Sequence, residues 1–280
     1  MIYTPMRYPG GKAKLFPLIS SIIQENFQAP LNYVEPYAGG AGLALALLFQ
    51  LNISQIFIND LNRSIYGFWY SILNNTNDFI EKIIKTDVTI DEWHKQKEIQ
   101  KEKETTDLLT LGFSTFFLNR TNRSGILNGG VIGGLDQRGA WKVDARFNKP
   151  ALISRIRMIA EKRASIQIFN MDACDFLDHL ESKDMKDVLY YLDPPYVKEG
   201  TRLYQSKYEE QDHRFVEKKV SELRSKWIVS YDCNDLIEEI YSGYPHITYS
   251  LDYSAQRRKK GQEFMAFSHN IKIPAHLILQ

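Results

Sequence analysis

Short apolar runs that stop at a Gly, Asn or Asp and then open into helical periodicity recur along this chain, and they leave it few folds. A strand buried on both faces reads as a continuous apolar run, and a crossover helix must intervene before a parallel partner can pair. The runs at 32–37, 55–59, 166–169, 188–192, 227–231, 247–250 and 264–267 are read as strands. Helices are predicted over 43–51, 62–73, 173–180, 212–224 and 236–241. The expectation is an α/β fold built on a mostly parallel sheet.

Roughly a hundred residues separate the second strand from the third. They begin with a charged helical segment at 91–104 and an aromatic helix at 108–118. A polar, Gly-rich stretch over 119–148 suits hairpins and loops, and a basic helix at 149–163 returns the chain to the sheet. The predicted organisation is a catalytic domain from 1–62 and 164–280, interrupted at 63–163 by an inserted domain, largely helical with a hairpin.

Charge is nearly balanced, with 35 basic and 34 acidic side chains, so the sum excludes a uniformly basic nucleic-acid binder. Its distribution says more. Between Arg120 and Arg163 there are ten basic residues against three acidic ones, and Arg257-Arg258-Lys259-Lys260 forms a second cluster. Local positive charge is what phosphate binding needs. Cys174 and Cys233 match no metal-ligand spacing or disulfide framework, so no metal is expected and a reducing cytoplasm is. The N-terminal stretch has no apolar leader and no run is long enough to span a bilayer, which argues against a membrane location.

The chemistry concentrates in Leu192-Asp193-Pro194-Pro195-Tyr196, directly after a strand, at the edge where open parallel sheets bind ligands. Consecutive prolines donate no backbone hydrogen bonds and keep the chain stiff and extended, freeing nearby carbonyls to act as acceptors. A carboxylate beside such a carbonyl can receive both hydrogens of an NH₂ group, and the following aromatic ring can stack on the flat molecule bearing it. An adenine or cytosine amine is a poor nucleophile because its lone pair is delocalised. Holding both N–H groups favours a pyramidal nitrogen that can attack a sulfonium methyl group, with alignment as the main requirement. The competing reading is a tight turn with Tyr196 as core filler.

Val34-Glu35-Pro36-Tyr37-Ala38-Gly39-Gly40-Ala41-Gly42 follows another strand and opens a helix, and Asp60 lies 21 residues past Gly39. A Gly turn followed by an acid at that offset suits a nucleoside with its ribose hydroxyls, whether the donor is a methyl or a hydride carrier. Arg7-Tyr8-Pro9-Gly10-Gly11-Lys12 lacks the spacing of a phosphate loop. Tyr8 and Lys12, flanking its Gly turn, suit the amino-acid part of a cofactor instead.

Together these three motifs resemble the DNA adenine methyltransferase family in its α order of motifs, with the N-terminal Gly-Gly-Lys first, the Gly loop next, the target-recognition region after it and Asp-Pro-Pro-Tyr last. The resemblance covers nearly the whole chain. It implies a Rossmann-like, S-adenosylmethionine-dependent catalytic domain with the insertion as target-recognition domain. It further implies that Tyr8, Lys12, Asp60 and Asp193 contact the cofactor, with Glu35 and Gly39 beside its methionine portion and Asp172 a further cofactor-side position. Asp193, Pro194, Pro195 and Tyr196 would hold a flipped-out adenine; flipping is required because a paired amine is stacked and out of reach. Tyr8 stands where many relatives carry Trp.

The resemblance also places a DNA-contacting hairpin at Asn119-Arg120-Thr121-Asn122-Arg123-Ser124-Gly125, with Arg146-Phe147-Asn148-Lys149 adding a similar set. Arg reads guanine edges and Asn adenine edges, so Asn119, Arg120, Asn122, Arg123, Arg146, Asn148 and Lys149 are divided between base reading and phosphate positioning. Residues 198–208, with Tyr204, are expected to close over the base. His213 belongs to no cluster that would make it a general base. The substrate implied is double-stranded DNA, the default assembly a monomer, and a cognate restriction endonuclease acting on the same site is one natural partner. The rivals are an RNA or protein-amide methyltransferase of the same fold, a non-catalytic DNA-binding protein and an NAD-dependent enzyme. An intact amine receptor argues against a pure binder.

Overall fold

The computed structural model describes residues 2–8, 11–28, 30–51, 53–197, 208–253 and 259–278. Strands β1 (Leu31–Glu35), β2 (Ile53–Asn59), β3 (Ile166–Phe169), β4 (Val188–Leu192), β5 (Lys226–Asp232), β6 (His246–Tyr253) and β7 (Lys259–Phe267) form one sheet in the order β3-β2-β1-β4-β5-β7-β6. β1 runs parallel to β2 and to β4, and β4 parallel to β5. β7 is antiparallel to both of its neighbours, β5 and β6. The sheet is thus α/β and mostly parallel, as its apolar runs require. All five residues of β4 are buried, which is why that strand carries no polar alternation.

The strand order reverses between β1 and β4. At such a switch point the connecting helices leave to opposite faces and a crevice opens beyond the carboxyl ends. Glu35 ends β1 and Asp193 directly follows β4, so two of the expected site residues arrive there by topology alone.

The chain divides into two compact units, one of Met1–Gly11, Gly39–Gly42 and Asp60–Asn170, the other of Lys12–Ala38, Leu43–Asn59 and Met171–Gln280. The second contains α1 (Phe16–Asn26) and α2 (Gly42–Gln50), followed later by α8 (Ala173–Glu181), α9 (Glu210–Ser221), α10 (Asp235–Ile240) and α11 (Ala275–Ile278). α2 buries every residue from Leu43 to Leu48, so its sequence is apolar all round. α1 was not expected; its buried Ile19, Ile22 and Ile23 stand at helical spacing on a short element whose start holds Pro17.

The first unit holds α3 (Arg63–Asn74), α4 (Thr76–Lys85), α5 (Ile90–Lys101), α6 (Leu108–Thr121) and α7 (Lys149–Glu161). α4 was also unforeseen. Asn62, Thr89, Asp107 and Asn148 cap four of these helices through their side chains. Its core is aromatic: Phe68 stacks on Phe116 with centroids 6.0 Å apart, and Phe147 packs edge-on to Phe116 at 5.4 Å. α3 and α6 meet backbone to backbone, because a Cβ on Gly112 would lie 2.3 Å from the Gly67 carbonyl oxygen.

The hairpin expected over 119–125 is replaced by other structure. Asn119, Arg120 and Thr121 form the last turn of α6, which continues because Asn119 and Thr121 are buried and the Thr121 hydroxyl donates to the Phe117 carbonyl at 2.8 Å. Beyond it a short loop is closed by the single bridge between Asn122 and Val131.

Candidate active site

In the sheet-bearing unit, four ionisable side chains converge at the end of β4. Lys12, the first residue of a 3₁₀ turn (Lys12–Leu15), is 5% exposed and places its ammonium 3.3 Å from Asp193 Oδ1 and 3.2 Å from Glu263 Oε2. It also donates to the Tyr196 hydroxyl and sits 4.8 Å from the centroid of that ring. The Tyr196 hydroxyl in turn donates to Glu263, 3.1 and 2.9 Å from its two oxygens. Ser230 on β5 donates to Asp193 Oδ1 at 3.3 Å, with the Tyr191 hydroxyl 2.8 Å from its own oxygen.

Two carboxylates therefore flank one buried cation. Burial opposes the Lys12 charge, but Asp193 and Glu263 outweigh it and raise its pKa above the ordinary lysine value. Burial raises Asp193 in spite of Lys12, and raises Glu263 to about 7. The two prolines between Asp193 and Tyr196 are buried, which fixes the spacing of carboxylate and ring.

Glu35, at the end of β1, is buried and accepts hydrogen bonds through Oε1 from the Tyr33 hydroxyl at 3.1 Å and the Ala44 N–H at 3.0 Å. Desolvation exceeds what those two bonds return, and its pKa rises to about 8. Asp172 is the exposed N-cap of α8, accepting from Cys174 N–H at 2.8 Å. His213 is fully buried with Nδ1 3.2 Å from the Tyr231 hydroxyl, and burial lowers its pKa, the environment of a packed histidine.

In the other unit, the glycine turn is pinned from two sides. The Gly39 N–H donates to Asp60 Oδ2 at 3.0 Å, and its carbonyl accepts from Trp69 Nε1 at 2.9 Å. Gly39 has φ +46°, and a Cβ there would lie 2.5 Å from Cζ of Tyr8, so the Tyr8 ring lies directly on the turn. Asp60 also accepts from the Asn62 N–H at 2.9 Å. Burial, resisted by those two N–H groups, raises its pKa to about 6. Each Asp60 oxygen keeps acceptor capacity beyond its one bond.

The residues expected at DNA separate into two kinds. Asn119 is 1% exposed: its Oδ1 accepts from the Arg7 N–H at 2.7 Å and its amide donates to the carbonyls of Arg7 and Gly125 at 2.8 and 2.9 Å. Asn122 is fully buried, accepting from Trp93 Nε1 at 2.6 Å and donating to the carbonyls of Ile126 and Leu127. Both are corrections, because a buried amide spent on the main chain has nothing left for a base edge. Asn148 caps α7, and Lys149 donates to the Ile84 and Thr86 carbonyls at the end of α4 at 2.9 and 2.8 Å. Arg123 and Arg146 are exposed and Arg120 is partly buried. Residues 198–207, Tyr204 among them, and Arg257 and Arg258 lie outside the described residues.

Glu263 was missed. Its only sequence signal is an acid at the head of the apolar run 264–267, which looks like a strand boundary until Lys12 and Tyr196 are brought to it.

The family model for D12 class N6 adenine-specific DNA methyltransferases matches residues 8–255, nearly the whole chain. The chain belongs to that family. The members of that family are N6 adenine-specific DNA methyltransferases. The chain is 21% identical over 211 residues to the Type II methyltransferase M.MjaIII of Methanocaldococcus jannaschii, an overlap of 68% of each chain. Among solved structures it is similar to an S-adenosylmethionine-dependent methyltransferase of Agrobacterium tumefaciens (10% identity, TM-score 0.43, covering 91% of this chain and 60% of that one). It is also similar to SMU.776, a methyltransferase described as putative and solved with SAH (9%, 0.41, 92% and 50%). The enzyme thus spans about half to three fifths of the length of those two proteins.

Proposed function

We propose that this enzyme transfers a methyl group from S-adenosylmethionine to N6 of an adenine flipped out of duplex DNA at a specific sequence. The observation that carries the reading is the buried Lys12–Asp193–Tyr196–Glu263 constellation at the end of β4. Asp193 and the Pro194 carbonyl receive the two amine hydrogens, and Pro195 holds their spacing to Tyr196, whose ring stacks on the base. Lys12, 3.3 Å from Asp193, opposes the burial that raises the Asp193 pKa and so favours its charged, acceptor-only form.

The cofactor, when bound, supplies an electrophilic methyl group on a sulfonium. The chain's own contribution is to bind and orient. The Gly39 turn, held by Asp60 and overlaid by Tyr8, fits close approach of a nucleoside, with Asp60 oxygens for its ribose. In the sheet-bearing unit, Glu35, a buried carboxylate with a raised pKa, suits the cationic amino-acid end, with Lys12, Asp172 and Asp193 as cofactor-side positions of that unit. Arg123, exposed on the loop after α6, is the leading base reader, and Arg120 and Arg146 contact the backbone. A cognate restriction endonuclease is the partner that fits a site-specific DNA methyltransferase. Among the described residues no helix is long and apolar enough to cross a membrane.

The test is incubation with methyl-labelled S-adenosylmethionine and adenine-containing duplexes of mixed sequence. Wild type labels adenine N6, whereas Asp193→Ala, folded by circular dichroism, loses transfer by at least about 100-fold. Absence of label from wild type that binds the cofactor, or near-normal turnover by Asp193→Ala, overturns the assignment.

A further inference from the structure

Arg7, Arg120, Arg146 and Arg155 all belong to one compact unit and gather there. Arg120 Nε donates to the Arg146 carbonyl at 2.6 Å, and its Nη1 to the Pro5 carbonyl at 3.4 Å. Arg7 Nη1 donates to the Asn122 carbonyl at 3.1 Å, and Arg155 Nη1 to the Thr4 carbonyl at 3.5 Å. The Arg146 guanidinium lies 5.6 Å from the centroid of Trp141. Among the described residues, none of the four forms an ion pair with a carboxylate.

Bringing four like-charged guanidinium groups together costs free energy. Burial, followed by Arg7, Arg155 and Arg146, lowers the pKa of Arg120 to about 10, and burial and Arg146 lower Arg7. A guanidinium carries five N–H donors, and the carbonyl bonds above use two on Arg120 and one each on Arg7 and Arg155. Those bonds fix the forks in place with donors to spare. Fixed, planar donor forks of one sign suit an oxyanion with several acceptor oxygens, and they do not suit a base edge, which needs a side chain free to extend into a groove.

We propose that Arg7, Arg120, Arg146 and Arg155 form a clamp for backbone phosphate of the DNA substrate, setting the register of the duplex while Arg123 reads sequence. The assignment rests on the DNA reading above and deepens it. It adds Arg7 and Arg155 to the binding residues and sorts Arg120 and Arg146 to the phosphate side. Asn119, which clamps the backbone of Arg7 from both its N–H and its carbonyl, is the positioning residue of this clamp.

The experiment measures binding of a fluorescent mixed-sequence duplex, and of duplexes differing by single base pairs, between 50 and 200 mM KCl. Each phosphate contact contributes about one unit to the slope of log Kd against log salt. Arg155→Ala and Arg120→Ala should each lower that slope by about one and weaken every duplex alike, roughly tenfold, while Arg155→Lys restores the slope but only part of the affinity. Arg123→Ala should instead compress the differences between duplexes. Wild-type protein on duplexes carrying single neutral methylphosphonates provides an arm free of folding effects. One position should reproduce the Arg155→Ala loss and add nothing to it in the variant. An unchanged slope, a loss confined to particular sequences, or full additivity of every methylphosphonate with the variant overturns the clamp. Equal competition by inorganic phosphate at millimolar concentration assigns the site to a free anion and overturns it too. Binding with the expected slopes but no methyl transfer sinks the functional reading alone, and methyl transfer with unaltered slopes sinks only the clamp.

Discussion

Replacing Glu263 by Gln should make the protein more stable at alkaline pH and no more stable at acid pH. The side chain is 1% exposed and its pKa is raised from 4.5 to about 7, first by burial and then by Asp193, against the pull of Lys12. A carboxylate whose folded pKa lies above its unfolded value favours the fold only while protonated. That contribution is complete below about 4.5 and is lost as pH rises through about 7. At 1.36 kcal/mol per unit, ionising Glu263 in place costs on the order of 3 kcal/mol. Gln keeps the shape and an acceptor for Lys12 and Tyr196 but never ionises. Wild type and Glu263→Gln should therefore melt together at pH 4, and the variant should lead by roughly 5 °C at pH 8. Differential scanning fluorimetry across that range reads the difference directly. The same variant should methylate more slowly, because Lys12 and Tyr196 lose the charge they share. A melting difference that stays flat with pH, or a variant less stable at pH 8, would show that the Lys12 attraction outweighs burial and would refute the reasoning.

Three other outcomes follow from the same geometry. Glu35, with a pKa near 8, should release a proton when a cationic cofactor binds, so affinity for S-adenosylmethionine rises with pH through about 8; calorimetry in buffers of different ionisation enthalpy measures the proton, and Glu35→Gln abolishes it. Gly39→Ala forces a Cβ to within 2.5 Å of the Tyr8 ring at φ +46°, and should weaken cofactor binding by about tenfold or more in the same titration. Gly112→Ala drives a Cβ against the Gly67 carbonyl oxygen at 2.3 Å, and should destabilise the helical unit by about 1–3 kcal/mol, read by urea denaturation; an unchanged midpoint would mean that α3 and α6 separate freely.

Much of the catalytic unit was legible because its signals are local. A strand buried on both faces must be apolar at every position, and the run at 188–192 matches the fully buried β4 to the residue; the run at 166–169 matches the bounds of β3, although Gln167 within it is exposed. The Asp-Pro-Pro-Tyr segment carries its own stiffness, so its place at a strand end could be argued without coordinates. The insertion was legible in composition and only partly in shape. Its charged, aromatic and basic helices are present, but α4 hides in an ordinary amphipathic pattern, and the supposed hairpin is the last turn of α6. Asn and Arg in a Gly-rich stretch look the same to a reader of sequence whether they face a groove or brace a loop. Burial decides that, and it assigns Asn119 and Asn122 to the brace.

By itself the sequence determined the α/β class and the order of the three motifs, because each depends on residues close together in the chain. Only the tertiary structure decided which charges meet. Lys12 and Glu263 are 251 residues apart and share one buried carboxylate–ammonium contact, and Arg7 and Arg120 belong to one cluster although 113 positions separate them. Electrostatic energy depends on distance through space and on exclusion of water, neither of which separation along the chain encodes.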